Sequence, residues 1–183
     1  WFQKILTPST QDNFNFKLDT IFTMNKKYID EFYSRVAKDK KHEVFALSLP
    51  MFLVNKHIYN ESESFYKTSY DLLHSDIDVL AALYFTNENH SLSPTELYDA
   101  TIFSSGGMTK VLKKLEDREF IKRDISKEDK RKSSVTLTQN GVFLIESCIC
   151  ETSKRLENHF KVLSQKEQND LKKILSKLIY SMI

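Results

Sequence analysis

The sequence predicts a mainly α-helical chain interrupted by a single two-stranded β-ribbon. Three observations predict it. The 183 residues include only three glycines and three prolines alongside 28% charged residues, too few turn formers for a β-sandwich. Apolar residues recur at helical spacing along most of the chain. Two strand-forming runs, Phe120 to Ile125 and Ser134 to Thr138, flank a charged tip that carries Asp129, Lys130 and Arg131. No apolar run approaches the roughly 18 residues that span a bilayer, and no charged-then-apolar leader is seen. A cytoplasmic protein without membrane contact is expected.

The elements follow in order. Residues 1–23 mix Gln, Asn, Thr and aromatics without a helical stripe, open on Trp1, and contain no methionine before an alternative start at Met24. With the short helix that follows, on which Ile29, Phe32, Tyr33 and Val36 share a face, they form an N-terminal extension over residues 1–43. A long helix is expected from Ser48, with Pro50 in its first turn, where a missing N–H costs nothing. Its stripe runs Met51, Val54, Ile58, Ser62, Phe65, Ser69, Leu72. The next helix opens at Ser75, capped by its hydroxyl with Asp78 reaching back, and is lined by Ile77, Leu80, Ala81 and Tyr84. Asn87 to His90 form the turn that stops it.

Ser93-Pro94-Thr95-Glu96 is a second capping box with proline at the first helical position. It starts a short helix through Leu97 to about Thr101. From Ser104 a third helix turns Met108, Val111, Leu112 and Leu115 inward and Ser105, Gly106, Thr109, Lys110 and Lys113 outward. Two short helices joined tightly, the second basic and small near its N-terminus, make a helix-turn-helix. Gly106 and Gly107 each cost about 1 kcal/mol in a helix interior, but in a first turn they let backbone approach a phosphate or base. After the ribbon, Thr138 caps a helix striped by Val142, Ile145, Ile149, Thr152, Leu156, Phe160 and Leu163. Ser164 and Glu167 open a last one lined by Leu171, Ile174, Leu175, Leu178, Ile179 and Met182. These terminal helices are too apolar on one face for a small domain to cover alone, so a homodimer is expected.

Charge points the same way. Ten Lys or Arg against six acids between Ser104 and Thr136 give a surplus of four, while the whole chain has a net charge of +2. The positive field is therefore concentrated where the groove-fitting elements lie. A basic helix followed by a two-stranded wing grips duplex DNA at two places, the major groove and the neighbouring minor groove or backbone.

These pieces resemble the winged helix of the MarR transcriptional regulators. The resemblance is carried by Leu73-His74-Ser75 through Val79-Leu80, Ser93-Pro94-Thr95-Glu96-Leu97, Met108-Thr109 to Leu115-Glu116, the Asp129-Lys130-Arg131 tip, and Leu137-Thr138-Gln139-Asn140-Gly141. It extends over residues 44–183, with dimerisation helices at 48–72 and 139–183 and the winged helix-turn-helix at 73–138. One departure is visible. Where the family usually has a glycine after the recognition helix this chain has Glu119, which must take a positive φ or end the helix differently.

Chemistry assigns roles. Thr109, Lys110 and Lys113, with Ser104, Ser105 and Gly106 at the helix start, are candidates for the major groove, since Lys donates to guanine and Thr meets a base edge or thymine methyl. Lys113 and Lys114 can equally be solvated helix charges. Arg131 suits the narrow, negative minor groove of A·T stretches, and the resemblance implies that Asp129 orients it. Lys127, Lys130 and Lys132 and the hydroxyls of Ser93 and Thr95 suit phosphates. Two symmetric copies would place recognition helices about 34 Å apart, one turn of B-DNA, on a pseudo-palindromic operator. The resemblance implies repression relieved by a small-molecule effector in a crevice between the dimer helices and the winged domain. His57, Tyr59, Phe65 and Tyr66 are the candidates to line it, although aromatics at helical spacing also serve as core.

Enzymatic chemistry finds no foothold. No phosphate loop, nucleophile elbow or paired-carboxylate motif is present, and the five histidines show no zinc spacing, so no catalytic residue, metal or cofactor is expected. Cys148 and Cys150 point in different directions on a helix and read as packing. One branch of the resembling family senses redox through a cysteine, but in the N-terminal helix region, where this chain has none. Two alternatives to a DNA-binding regulator remain: a winged-helix protein-interaction or assembly module without DNA binding, and an enzyme using His or Cys across a dimer.

Overall fold

The computed structural model describes residues 26–36, 38, 40–101, 105–124 and 133–183. The chain divides into two compact units, residues 1–57 and 58–183. In the first, helix α1 spans Lys26–Val36. It buries Val36 and half-buries Ile29 and Phe32, as their spacing predicts, while Tyr33 stays exposed. A 3₁₀ turn, Lys40–His42, leads into helix α2, Val44–Tyr70.

The start of α2 corrects the sequence expectation. Pro50 lies inside this helix and not in its first turn. Residues 44–49 are a helix-compatible run without glycine, so the helix extends back past the proline, leaving the Ala46 carbonyl without its usual N–H partner. At the other end Asp71 takes the left-handed conformation with φ 53°. Its N–H donates to Lys67 O at 3.1 Å and that of Leu72 to Tyr66 O at 3.2 Å, so the left-handed stop satisfies two carbonyls of the last turns.

The second unit is built on the last turns of α2 followed by helix α3 (His74–Thr86), strand β1 (Ser91–Leu92), helices α4 (Pro94–Ala100) and α5 (Ser105–Asp117), strands β2 (Ile121–Asp124) and β3 (Ser134–Leu137), and helices α6 (Gln139–Phe160) and α7 (Gln165–Tyr180). Its core joins every layer: Leu72, Val79, Leu80, Leu83, Leu97, Leu115 and Ile145 are fully buried. At about 1.5–3 kcal/mol per buried side chain, this cluster holds the helix-turn-helix in place. The three strands are antiparallel in the order β1-β3-β2, with Ser91 opposite Thr136 and Arg123 opposite Val135. The third strand, β1, was not anticipated, because two residues show no alternation.

Capping of α3 also differs from expectation. The helix begins at His74, and Asp76, not Asp78, closes its start by accepting the Leu73 N–H at 2.8 Å. Ser75 therefore lies inside the first turn. Two overlapping cap patterns compete here, and tertiary contact selects the earlier one: Asp76 is 1% exposed and accepts a hydrogen bond from Lys114 Nζ.

Other expected caps are in place. Thr138 Oγ1 accepts the Gly141 N–H at 3.1 Å to open α6, and Ser164 and Glu167 exchange bonds to open α7. Gly141 is required by space: a Cβ there would meet Phe120 O at 2.0 Å. Helix α6 is fastened along α2 and α3 by three tyrosines. Tyr66 bonds Thr152 at 3.0 Å, Tyr70 bonds Ser147 at 3.1 Å and Tyr84 donates to Glu146 at 3.0 Å.

Candidate nucleic-acid interface

The first helix of the helix-turn-helix is set by its own first four residues. Ser93 Oγ accepts the Glu96 N–H at 3.3 Å and Glu96 accepts the Ser93 N–H at 2.8 Å. Hydrogen bonds from the Ser93 hydroxyl and then from its backbone N–H hold the Glu96 carboxyl below its ordinary range, and Pro94 takes the first helical position. Leu97 anchors α4 in the core, and Thr95 is exposed. The Ser93 hydroxyl already serves the cap, so a phosphate would share it.

Helix α5 is amphipathic in the sense expected. Met108, Leu112 and Leu115 are buried at 1%, 7% and 0% exposure, and Gly107, Thr109, Lys110 and Lys113 are exposed. Ser105 and Gly106 form its first turn. Ser104, Lys127, Asp129, Lys130, Arg131 and Lys132 lie outside the described residues. The two strands that would present that tip are in register, with Ile121, Val135 and Leu137 buried and Lys122 and Asp124 exposed.

The helix ends on Glu119, which adopts φ 58°. Its N–H donates to Glu116 O and that of Phe120 to Leu115 O, both at 2.9 Å, the paired bonds of a Schellman stop. The departure from glycine is thus accommodated with the usual geometry, at the cost of a left-handed non-glycine residue.

Not every basic residue of this region faces outward. Lys114 donates to the buried Asp76 at 2.6 Å. Arg118 donates to Tyr70 O and Asp71 O. Arg123 is bonded to Glu116, with Nε at 2.7 Å from Oε2, and this pairing lowers the Glu116 pKa. These internal roles escaped the sequence reading. Helical spacing carried part of the signal, since positions 111, 114, 115 and 118 fall on one side of the helix.

The expected effector residues differ in their surroundings. Phe65 is part of the core at 8% exposure, beneath the Arg155 guanidinium at 4.2 Å. His57 is exposed and belongs to the first unit. Tyr59 and Tyr66 do meet, through His74: its ring stacks on Tyr59 at 4.0 Å and stands edge-on to Tyr66 at 5.1 Å. Glu63 accepts the His74 backbone N–H at 2.6 Å, and burial pushes the nearby Asp78 carboxyl and Tyr66 phenol up from their usual values. Cys148 is buried, its thiol pushed up to about 11 by that burial, whereas Cys150 is exposed. Among the described residues, no helix is long and apolar enough to cross a membrane.

The geometry can now be set beside known proteins. A family model described as transcriptional regulator SarA/Rot matches residues 62–148. The HTH-type transcriptional regulator SarZ of Staphylococcus aureus is 30% identical over 106 residues, covering 58% of this chain and 68% of SarZ. The chain belongs to the HTH-type transcriptional regulators, and its winged helix has the MarR-type fold. Another HTH-type regulator, PrsX of Escherichia coli, is 33% identical over 111 residues, 61% of this chain, and the match spans 66% of the length of PrsX.

Solved MarR-type structures share the fold at lower identity. AbsC, a MarR family regulator from Streptomyces coelicolor, superposes with a TM-score of 0.67 at 17% identity, covering 79% of this chain and 95% of AbsC. A Staphylococcus aureus MepR–DNA complex gives 0.61 at 19% identity over 74% and 96% of the two chains. In chain order, the helix-turn-helix and the wing strands lie between the long helices α2 and α6.

Proposed function

We propose that this protein is a sequence-specific double-stranded DNA-binding transcriptional regulator that represses by occupying a pseudo-palindromic operator as a homodimer. The observation that carries this reading is the exposed face of α5. Thr109, Lys110 and Lys113 are exposed on a helix whose Met108, Leu112 and Leu115 are buried in the core, as groove readout requires. Thr95 and Ser93 flank it for phosphates, and Lys127, Asp129, Lys130, Arg131 and Lys132 serve the minor groove and backbone from the wing. The MepR–DNA complex supports the reading through the shared fold.

The homodimer is supported by apolar surface at both ends of the chain. In α2 Met51, Phe52 and Val54 are 48%, 64% and 50% exposed, and near the C-terminus Ile174, Ile179 and Met182 are 58%, 59% and 79% exposed. Scattered apolar residues need no explanation, but stripes at helical spacing suit a second copy. A small-molecule effector would meet the Tyr59–His74–Tyr66 cluster, whose aromatic faces and neighbouring Glu63 and Asp78 carboxyls suit an amphipathic ligand.

Selection from a random duplex pool tests the reading. An enriched inverted repeat is expected, with affinity falling by orders of magnitude between about 50 and 200 mM salt. Equal recovery of every sequence, with salt-insensitive capture of a protein partner, would favour the interaction-module alternative.

A further inference from the structure

Two cations at the C-terminal end of α5 face inward, and both reach the same corner of the fold. Arg118 stands one residue past the helix. Its guanidinium donates to successive backbone carbonyls at the end of α2, Nη2 to Tyr70 O at 2.9 Å and Nη1 to Asp71 O at 3.0 Å. Its Cζ lies 5.0 Å from the centre of the Phe120 ring. Carbonyls at the end of a helix lack intrahelical partners and carry the negative end of its dipole. A planar fork satisfies two of them at once, which an ammonium group does not.

One turn earlier Lys114 Nζ donates to Asp76 at 2.6 Å. The same carboxylate oxygen accepts the N–H of Leu73 at the start of α3. Helix α5 is therefore clamped at one end to the corner where α2 turns into α3, while Gly107, Thr109 and Lys110 of its exposed face lie toward the other. The helix has 13 residues, about 20 Å at ~1.5 Å per residue. A tilt of roughly 8° about the clamped end would move the far end by nearly 3 Å, about a whole hydrogen-bond length.

We propose that Arg118 and the Lys114–Asp76 pair are positioning residues of the DNA-reading helix: they fix the angle at which its exposed face meets base edges and contribute no phosphate contact themselves. The proposal rests on the DNA-binding reading above. It separates two properties that a surface cation would change together. A phosphate contact adds about 0.9 to the slope of log affinity against log salt concentration and acts on any sequence. A positioning residue governs affinity for the right sequence and leaves binding to unrelated DNA as it was.

The test measures binding of the full chain and of Arg118→Gln, Arg118→Lys and Lys114→Met. Each is titrated with the duplex that the parent selects and with an unrelated duplex, at several salt concentrations, with thermal unfolding followed in parallel. Arg118→Gln should lose about tenfold or more on the selected duplex, with parent-like affinity and salt slope on the unrelated one. Arg118→Lys keeps the charge but not the fork and should lose nearly as much; Lys114→Met should show the same pattern. Should Arg118→Gln fail to fold, the other two variants decide on the same criteria. Equal losses on both duplexes with a lowered slope would make these cations phosphate contacts and overturn the proposal. Parent-like discrimination in the variants would overturn it alone, whereas a parent that prefers no duplex would overturn the DNA-binding reading and this proposal with it.

Discussion

Helices α5 and α7 carry the same kind of pattern and meet opposite fates. Both have apolar residues three and four apart, yet Met108, Leu112 and Leu115 of α5 are at most 7% exposed, while α7 buries no residue and leaves Ile174 and Ile179 more than half exposed. Periodicity tells which side of a helix seeks cover, not where the cover comes from. For α5 it comes from α3 and strand β2 of the same unit. For α7, in the proposed homodimer, it comes from a second copy.

Substitutions sharpen that contrast. The largest effect belongs to the joint where β2 and α6 close against the end of α5. Gly141→Ala would drive a methyl into Phe120 O, a carbonyl that also accepts the Thr138 N–H, and should lower unfolding free energy by at least about 3 kcal/mol in urea melts. Leu115→Ala, on the covered helix, should cost about 3 kcal/mol by the same measurement. A loss under 1 kcal/mol would mean that α5 is not held by the core as described.

Smaller effects follow. Glu116→Gln weakens the link from α5 to β2 through Arg123, a partly exposed pair worth about 0.5–1 kcal/mol. Its carboxyl pKa is depressed by the hydrogen bond from Arg123. The contribution is therefore present at neutral pH, above the unfolded value near 4.3, and is lost as pH falls through the lower folded value. Parent and variant should differ at pH 7 and converge in strong acid. Ile174→Ala should change the unfolding of dilute protein by less than about 0.5 kcal/mol yet shift sedimentation toward monomer. Unchanged association would show that α7 has some other cover.

What the sequence revealed and what it hid divide by range. The caps at Ser93, Thr138 and Ser164 involve partners three residues apart, and the residues alone locate them. The departure at Glu119 was visible, and so were the two outcomes open to it. Hidden features depend on partners far along the chain. Strand β1 exists because Ser91 meets Thr136, Asp76 displaces the expected Ser75–Asp78 cap because Lys114 reaches it, and Arg118 turns inward because the end of α2 offers two carbonyls. Helix α2 begins early because its proline is tolerated in the interior, against the usual placement. On the candidate interface, the outward positions of Thr109, Lys110 and Lys113 were legible from period alone. The inward direction of three basic residues was not.

One measurement bears most directly on the claim that the exposed face of α5 reads DNA. The dissociation constant of a Thr109→Ala, Lys110→Ala double variant would be compared with the parent on the selected duplex and on an unrelated one, at a single salt concentration. The expected result is a loss of about 1–3 kcal/mol per base contact on the selected duplex, bringing it close to the unrelated one. Parent-level affinity and discrimination in the double variant would contradict it.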